Sequence, residues 1–197
     1  MRQSATPGAN ARSFHIQRAR PSDVPALHAL IGGLAEYERL SHLCVATEAD
    51  LADALFGNPT AAEALIARVD AHSENAAGFA LFFHTYSTFL GRRSLWLEDL
   101  FVVPEHRGAG LGRALLHTLA ALAVQRRCGR FEWAVLDWNA PAIAFYQSLG
   151  AAIMPDWRIA RVTGASLTRM AADASVAAPA QPGRPLKPAP EHSGEFT

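Results

Sequence analysis

Between an apolar run, Leu95–Pro104, and a stretch of helical periodicity, Leu111–Val124, the chain carries Arg107-Gly108-Ala109-Gly110-Leu111-Gly112. Three alternating glycines at a strand-to-helix junction let the backbone approach a ligand closely, and the first N–H groups of the helix point outward at the positive end of its dipole. Such a junction suits a pyrophosphate. A nucleoside triphosphatase loop would need Lys and then Ser or Thr after its last glycine, where this chain has Arg113-Ala114. A dinucleotide fingerprint would need a third glycine where Arg113 stands, and an acid at the end of the next strand. Glu132 lies at about the right distance but opens the run Phe131–Asp137 instead of closing it. Upstream, the apolar strand carries two acids side by side, Glu98 and Asp99. An unpaired carboxylate is costly to bury, so Glu98 must either face a polar cleft or pair with a structural arginine.

The elements that must position these groups can be read from spacing. Phe14-His15-Ile16-Gln17-Arg18 alternates as a strand, and Ser22 and Asp23 offer a cap for a helix with Leu27, Leu30, Ile31 and Leu34 on one face. Thr47 with Asp50 forms a capping-box pattern for a short helix through Phe56, stopped by Gly57-Asn58-Pro59. Ala64–Val69 and Gly78–Tyr86, separated by the polar Asp70–Asn75, read as an antiparallel hairpin, and Leu95–Val103 as a fourth strand. A fifth strand is expected at Phe131–Asp137, a helix at Pro141–Leu149 ended by Gly150, and a last strand at Trp157–Thr163. Antiparallel strands followed by a strand-helix-strand-helix unit imply an α+β, mixed α/β domain with helices on both faces of a mostly antiparallel central sheet.

With 197 residues, half of them apolar, the chain has room for one well-buried core and not for two. We expect a domain over residues 14–170, a flexible N-terminal segment over 1–13, and a disordered Ala/Pro-rich tail over 171–197 that cannot offset its ordering entropy by burial. Eighteen basic and eighteen acidic residues cancel, which argues against nucleic acid or an anionic membrane as a partner. The first twelve residues have no apolar core of a signal peptide, and no run approaches the roughly 18 apolar residues of a membrane span, so a cytoplasmic location is expected. Cys44 and Cys128 form no C-x-x-C pair and the eight histidines form no H-x-x-x-H pair, so neither a disulfide framework nor a metal site is expected.

The loop Arg107-x-x-Gly110-x-Gly112 resembles the acyl-CoA loop of the GNAT superfamily of N-acetyltransferases. Within it, Leu34-Ala35-Glu36-Tyr37-Glu38, Gly78–Tyr86, Leu97-Glu98-Asp99 and Trp138-Asn139-x-Pro141-x-x-x-Phe145-Tyr146 together resemble the diamine acetyltransferase family, which acetylates spermidine, spermine and related amines. Ala134-Val135-Leu136-Asp137-Trp138-Asn139 is closer to the branch that prefers the lysine analogue thialysine. The likeness spans roughly Phe14 to Met170.

That resemblance implies acetyl-CoA as co-substrate and assigns roles to residues. An alkylammonium is almost wholly protonated at neutral pH, its pKa being near 10.4, so a base must take its proton before it can attack a thioester. Glu98 is the candidate base, and Tyr146 the candidate acid that protonates the departing thiolate. Leu100, Phe101 and Val102 would offer backbone groups along which the pantetheine arm pairs like an added strand, with one N–H polarising the thioester carbonyl. Arg107, Gly108, Gly110, Gly112 and Arg113 would surround the pyrophosphate, while Asn139 would cap its helix and touch the cofactor.

Tyr37 and Glu38 match the family's amine-contacting pair, and with Glu98, Asp99 and Trp157 they would shape an acidic, aromatic-edged groove for a cationic amine. One departure stands out. The family carries an acid two residues before the tryptophan matched by Trp157, and this chain has Pro155 there, with Asp156 one position later and so on the opposite face of an extended segment. This favours a short diamine or a lysine-like amine over a long polyamine. The family also implies a homodimer. Two other readings fit the same residues: a protein lysine or N-terminal acetyltransferase, and a non-catalytic acyl-CoA-binding sensor.

Overall fold

Leu65 and Ile66 are neighbours on one strand and both are buried, so the sheet that holds them is covered on its two faces. The computed structural model describes residues 14–70 and 75–173; the expected flexible segment 1–13 and most of the expected tail, from 174 on, lie outside the described residues. The chain divides into two units, Met1–Leu136 and Asp137–Thr197.

In the first unit, β1 (His15–Arg18), β2 (Glu63–Arg68), β3 (Ala76–Ser87), β4 (Arg92–Val102) and β5 (Phe131–Trp133) form one sheet in the order β1-β2-β3-β4-β5. The first four pair antiparallel and β5 joins β4 in parallel. Helices α1 (Val24–Tyr37) and α2 (Glu48–Phe56) cover one face: Val24, Leu27 and Leu30 of α1 and Leu51 and Leu55 of α2 close on Ala64, Ile66, Phe79 and Phe101. Helix α3 (Leu111–Gln125) packs on β2, β3 and β4 with Leu111, Leu115, Leu116 and Leu119 buried. This mixed α/β architecture, with a mostly antiparallel sheet and helices on both faces, is the one expected from the element order.

Local chemistry explains where the helices begin. Thr47 and Asp50 form the expected capping box: Thr47 Oγ1 accepts from the Asp50 N–H at 3.2 Å and Asp50 Oδ2 accepts from the Thr47 N–H at 3.0 Å. The cap expected at Ser22 or Asp23 is used differently. Asp23 makes no side-chain cap on α1; it turns inward, accepts the Arg20 N–H at 2.8 Å and pairs with Arg68 of β2 at 2.6 Å. A half-buried arginine on the sheet competes for that carboxylate and wins, because an unpaired buried charge costs several kcal/mol.

The second unit holds α4 (Ala140–Ser148) and α5 (Gly164–Ala172). The strand expected at Trp157–Thr163 is absent. A strand needs a neighbour to take its backbone hydrogen bonds, and residues 157–163 have none among the described residues, with Trp157 74% and Ile159 71% exposed. Helix α5, which the sequence reading did not anticipate, follows at once; its good helix formers Ala165, Leu167, Arg169, Met170 and Ala171 sit beside Gly164 and Thr168, which mask the periodic signal. The fifth strand stops at Trp133, four residues short of its expected end.

Candidate active site

The pairing of β3 with β4 carries one irregularity, and it falls on the acid pair. Leu81 faces Asp99 and the next residue, Phe82, faces Leu97, so Glu98 is an extra residue, a β-bulge. Beside it the β4–β5 ladder ends, the last pair being Leu97 with Trp133. From Glu98 to Val102, therefore, the edge of β4 away from β3 has no strand partner among the described residues.

The bulge sends the two carboxylates into different surroundings. Glu98 is exposed and accepts a hydrogen bond from Trp96 Nε1 at 2.9 Å. Asp99 keeps register with Leu81 and shares the α1 face with Phe101, where it is half-buried. There it lines a cleft of about 190 Å³ with Ile31, Leu34 and Ala35 of α1, with Glu38 at the helix C-cap, and with Leu40, Leu43 and Cys44 beyond it. Burial first, and then the carboxylates of Glu98 and Glu38, push the Asp99 carboxyl up to about 6. Burial also raises Glu38 above the ordinary carboxylate range.

The outer wall of this cleft exists because the chain reverses at the end of α1. Arg39 takes a left-handed conformation with φ 63°, and the Leu40 N–H reaches back to Ala35 O at 2.7 Å. A single 3-10 turn, Ser41–Leu43, follows, and His28 Nε2 donates to Ala46 O at 2.8 Å, tying the returning segment to α1. Sequence reading missed Leu40, Leu43 and Cys44 because the turn is made by an arginine, where a glycine or asparagine would have announced it.

The open edge of β4 can be assigned atom by atom. Val103 N–H donates to Ala77 O at 3.0 Å, and strand alternation then turns the peptide groups of Leu100 and Val102 to the open edge while those of Phe101 face β3. Of the three backbone contacts expected of Leu100, Phe101 and Val102, two are thus presented outward. Phe101 instead gives its ring to the core, 6% exposed beneath α1.

At the end of that edge comes the glycine loop. Gly108 and Gly110 have φ of 74° and 88°, conformations that residues with a Cβ adopt only under strain. Gly110 is the N-cap of α3, and no side chain caps that helix. Its first N–H groups therefore face outward from the exposed segment Arg107–Gly110. Arg113 is exposed in the first turn of α3, one residue after Gly112. Arg107, expected on the phosphates, is held against the protein: its guanidinium lies 4.7 Å from the Tyr37 ring centroid and 5.5 Å from that of Phe101, and its Nε donates to Val102 O at 2.9 Å. The loop is joined in this way to the end of α1.

A second, larger cleft of about 490 Å³ runs along α1 past Ala26, Gly33, Phe101 and Pro104, with Glu36 and Glu105 on it. It contains neither the acid pair nor any glycine of the loop.

In the second unit, Asn139 is buried and its Oδ1 accepts the Ala142 N–H at 3.3 Å, so it caps α4 as expected. Tyr146 stands half-buried in α4 with its ring 5.5 Å from that of Phe145, while Trp157 is exposed. Each of these three residues is placed within its own unit.

Comparison with known proteins agrees with the geometry. The profile of the acetyltransferase (GNAT) family matches residues 34–151. The chain is 36% identical to the L-ornithine N5-acetyltransferase of Arabidopsis thaliana over 77% of this chain and 85% of that protein. It is 35% identical to the thialysine N-epsilon-acetyltransferase of Mus musculus over 81% of this chain and 98% of that protein. Among solved structures, an integron cassette protein of Vibrio cholerae superposes with a TM-score of 0.68 at 26% identity, covering 81% of this chain and 98% of that one. A glycine loop opening α3, an acid pair at a bulge and relatives that acetylate amines converge on one family: the chain is an N-acetyltransferase and belongs to the acetyltransferase (GNAT) family.

Proposed function

We propose that the protein transfers the acetyl group of acetyl-CoA to the primary amine of a small cationic substrate, of the diamine or lysine-like kind, by direct attack in a ternary complex. The observation that carries this reading is the cleft that Glu38 and Asp99 line together with apolar side chains, Glu98 being the residue before Asp99 in β4. Carboxylates gathered in a small cleft attract an ammonium group, and the relatives named for ornithine and thialysine act on amines of that size.

Acetyl-CoA enters the reading as the second substrate. The outward N–H groups at Gly110 and the first turn of α3, with Arg113, suit its pyrophosphate, and the unpaired peptide groups of Leu100 and Val102 suit its pantetheine amides. An acid of the β4 pair takes the ammonium proton, and the neutral nitrogen attacks the thioester carbon. As the C–S bond breaks, Tyr146 protonates the thiolate, and Asn139 contacts the cofactor, as the family resemblance implies. The family resemblance implies Tyr37 and Trp157 as further contacts of the amine.

We also read the protein as a cytoplasmic homodimer, without nucleic-acid or membrane partners. Among the described residues no helix is long and apolar enough to cross a membrane, and the cysteines are free thiols, which is compatible with a reducing compartment.

The test is release of free coenzyme A, followed by thiol detection, with ornithine, thialysine, lysine, putrescine, spermidine, spermine and a lysine peptide as acceptors. Turnover with the short diamines or lysine analogues is expected. Turnover with the peptide alone would replace this reading by that of a protein acetyltransferase, and acetyl-CoA binding without turnover on any acceptor by that of a sensor.

A further inference from the structure

We infer that Arg39, the residue just past the C-cap of α1, determines acceptor specificity: its guanidinium receives the α-carboxylate of a diamino acid and so selects that acceptor over a simple diamine. The inference rests on the function proposed above and deepens it by naming the acceptor class.

The backbone singles out this residue. Helix α1 closes in a Schellman motif, in which the Arg39 N–H donates to Glu36 O at 3.0 Å and the Leu40 N–H to Ala35 O at 2.7 Å. The residue at the turn has φ 63°. Glycine usually stands at that position, and sometimes asparagine, because a Cβ is strained there. Arginine accepts that strain with its head group unengaged: among the described residues its side chain makes no hydrogen bond or ion pair, and it is exposed. A strained residue persists where function holds it, and an unengaged guanidinium can serve a partner that arrives from outside.

The place of Arg39 says which partner. Its two neighbours in the chain, Glu38 and Leu40, both line the cleft that also holds Asp99. The other described residues lining it are apolar apart from Cys44, and none is a cation. Carboxylates there suit one or two ammonium groups, so a diamine needs nothing more from the site. An acceptor that also carries a carboxylate meets Glu38 and Asp99 as like charges, and a cation nearby is needed to offset them. Arg39 adjoins Glu38 and has a long side chain ending in a planar fork of donors that matches a carboxylate. The other arginine at this end of α1, Arg107, is already committed: it lies over the Tyr37 ring at 4.7 Å and its Nε donates to Val102 O at 2.9 Å. Arg39 binds and orients the acceptor and takes no part in the proton transfers.

The experiment compares kcat/KM for coenzyme A release within two acceptor pairs that differ only by the carboxylate, ornithine with putrescine and lysine with cadaverine. The proteins are the parent, Arg39→Asn, Arg39→Lys and His42→Gln, His42 being the exposed imidazole of the 3-10 turn that follows. Asparagine tolerates the left-handed conformation, so Arg39→Asn removes the charge and keeps the turn, which a melting temperature no lower than the parent's would verify. The parent should favour the diamino acid of each pair. In Arg39→Asn that preference should fall by about five- to twentyfold, through KM. Arg39→Lys should keep part of it and His42→Gln all of it, and added salt should weaken it in the parent because the contact is exposed. A parent that prefers the diamines, an Arg39→Asn that slows both members of a pair equally, or a preference lost in His42→Gln and kept in Arg39→Asn would overturn the assignment and leave the transferase reading standing. A parent silent on every amine would overturn both.

Discussion

The guanidinium of Arg107 lies over the ring of Tyr37, 4.7 Å from its centroid, so the glycine loop and the end of α1 are held by one contact. Tyr37 sits beside Glu38 of the amine cleft, and Arg107 opens the loop whose helix receives the phosphates in our reading. On the proposed function, the contact would span the two substrate sites.

From this follows an effect across the sites. Tyr37→Leu should remove the stacking, worth about 0.5–1 kcal/mol at an exposed position, and thereby weaken acetyl-CoA two- to fivefold as well as raising the amine KM, by about the factor that energy allows. Tyr37→Phe keeps a ring and should keep acetyl-CoA affinity. Isothermal titration with acetyl-CoA alone distinguishes these outcomes from a Tyr37 that acts only on the amine.

Asp99 also predicts a dependence of stability on pH. Its folded-state pKa of about 6 lies above the ordinary 3.8, so between those values the folded protein holds more protons than the unfolded chain, and stability falls as pH rises through the window. Above it the penalty is complete, about 3 kcal/mol as an upper figure at roughly 1.4 kcal/mol per unit. Asp99→Asn should therefore be more stable than the parent at pH values above the window, and this difference should vanish below it. Denaturant titrations above and below the window measure it. A site that works at the expense of stability is the usual direction of that trade.

Tyr146→Phe should lower kcat at least tenfold while acetyl-CoA affinity is preserved, since the ring remains beside Phe145 and only the phenolic proton is lost. Steady-state kinetics with direct measurement of cofactor affinity provides the check. Equal activity in Tyr146→Phe would remove the tyrosine from the proton path.

At Gly110 the backbone has φ of 88°, and an added Cβ would meet no protein atom within 4 Å. Gly110→Val should thus cost about 1–2 kcal/mol of stability through conformation alone. Its larger effect should fall on acetyl-CoA, with affinity down tenfold or more because the branched side chain enters the phosphate path. Gly112, whose neighbourhood is a regular helical turn, gives a comparison: Gly112→Ala should be milder in stability.

How far the sequence carried the reading depends on how local each feature is. Thr47 and Asp50 cap α2 as their spacing demands, and the hairpin of β2 and β3, the glycine loop and α4 stand within a few residues of their expected places. These are determined by neighbours in the chain. The bulge at Glu98 was not legible, because Leu97-Glu98-Asp99-Leu100 contains no residue that marks one; it appears only when β4 is paired with β3. That one-residue offset gives Glu98 and Asp99 different environments, a distinction invisible in two adjacent acids. Likewise Cys44 entered the cleft wall through the left-handed turn at Arg39, and Asp23 was drawn from its cap by Arg68, 45 residues away. Nonlocal partners decided each case.

The early end of the β4–β5 ladder has a further consequence for the molecule when it holds no ligand. Unpaired N–H and C=O groups along a strand are a template for any extended chain, including another copy of this protein. Arg107 occupies one of those acceptors, the Val102 carbonyl, and so blunts the edge from within. If the pantetheine arm pairs along the rest, as the proposed function has it, acetyl-CoA occupancy should also guard the protein against self-association.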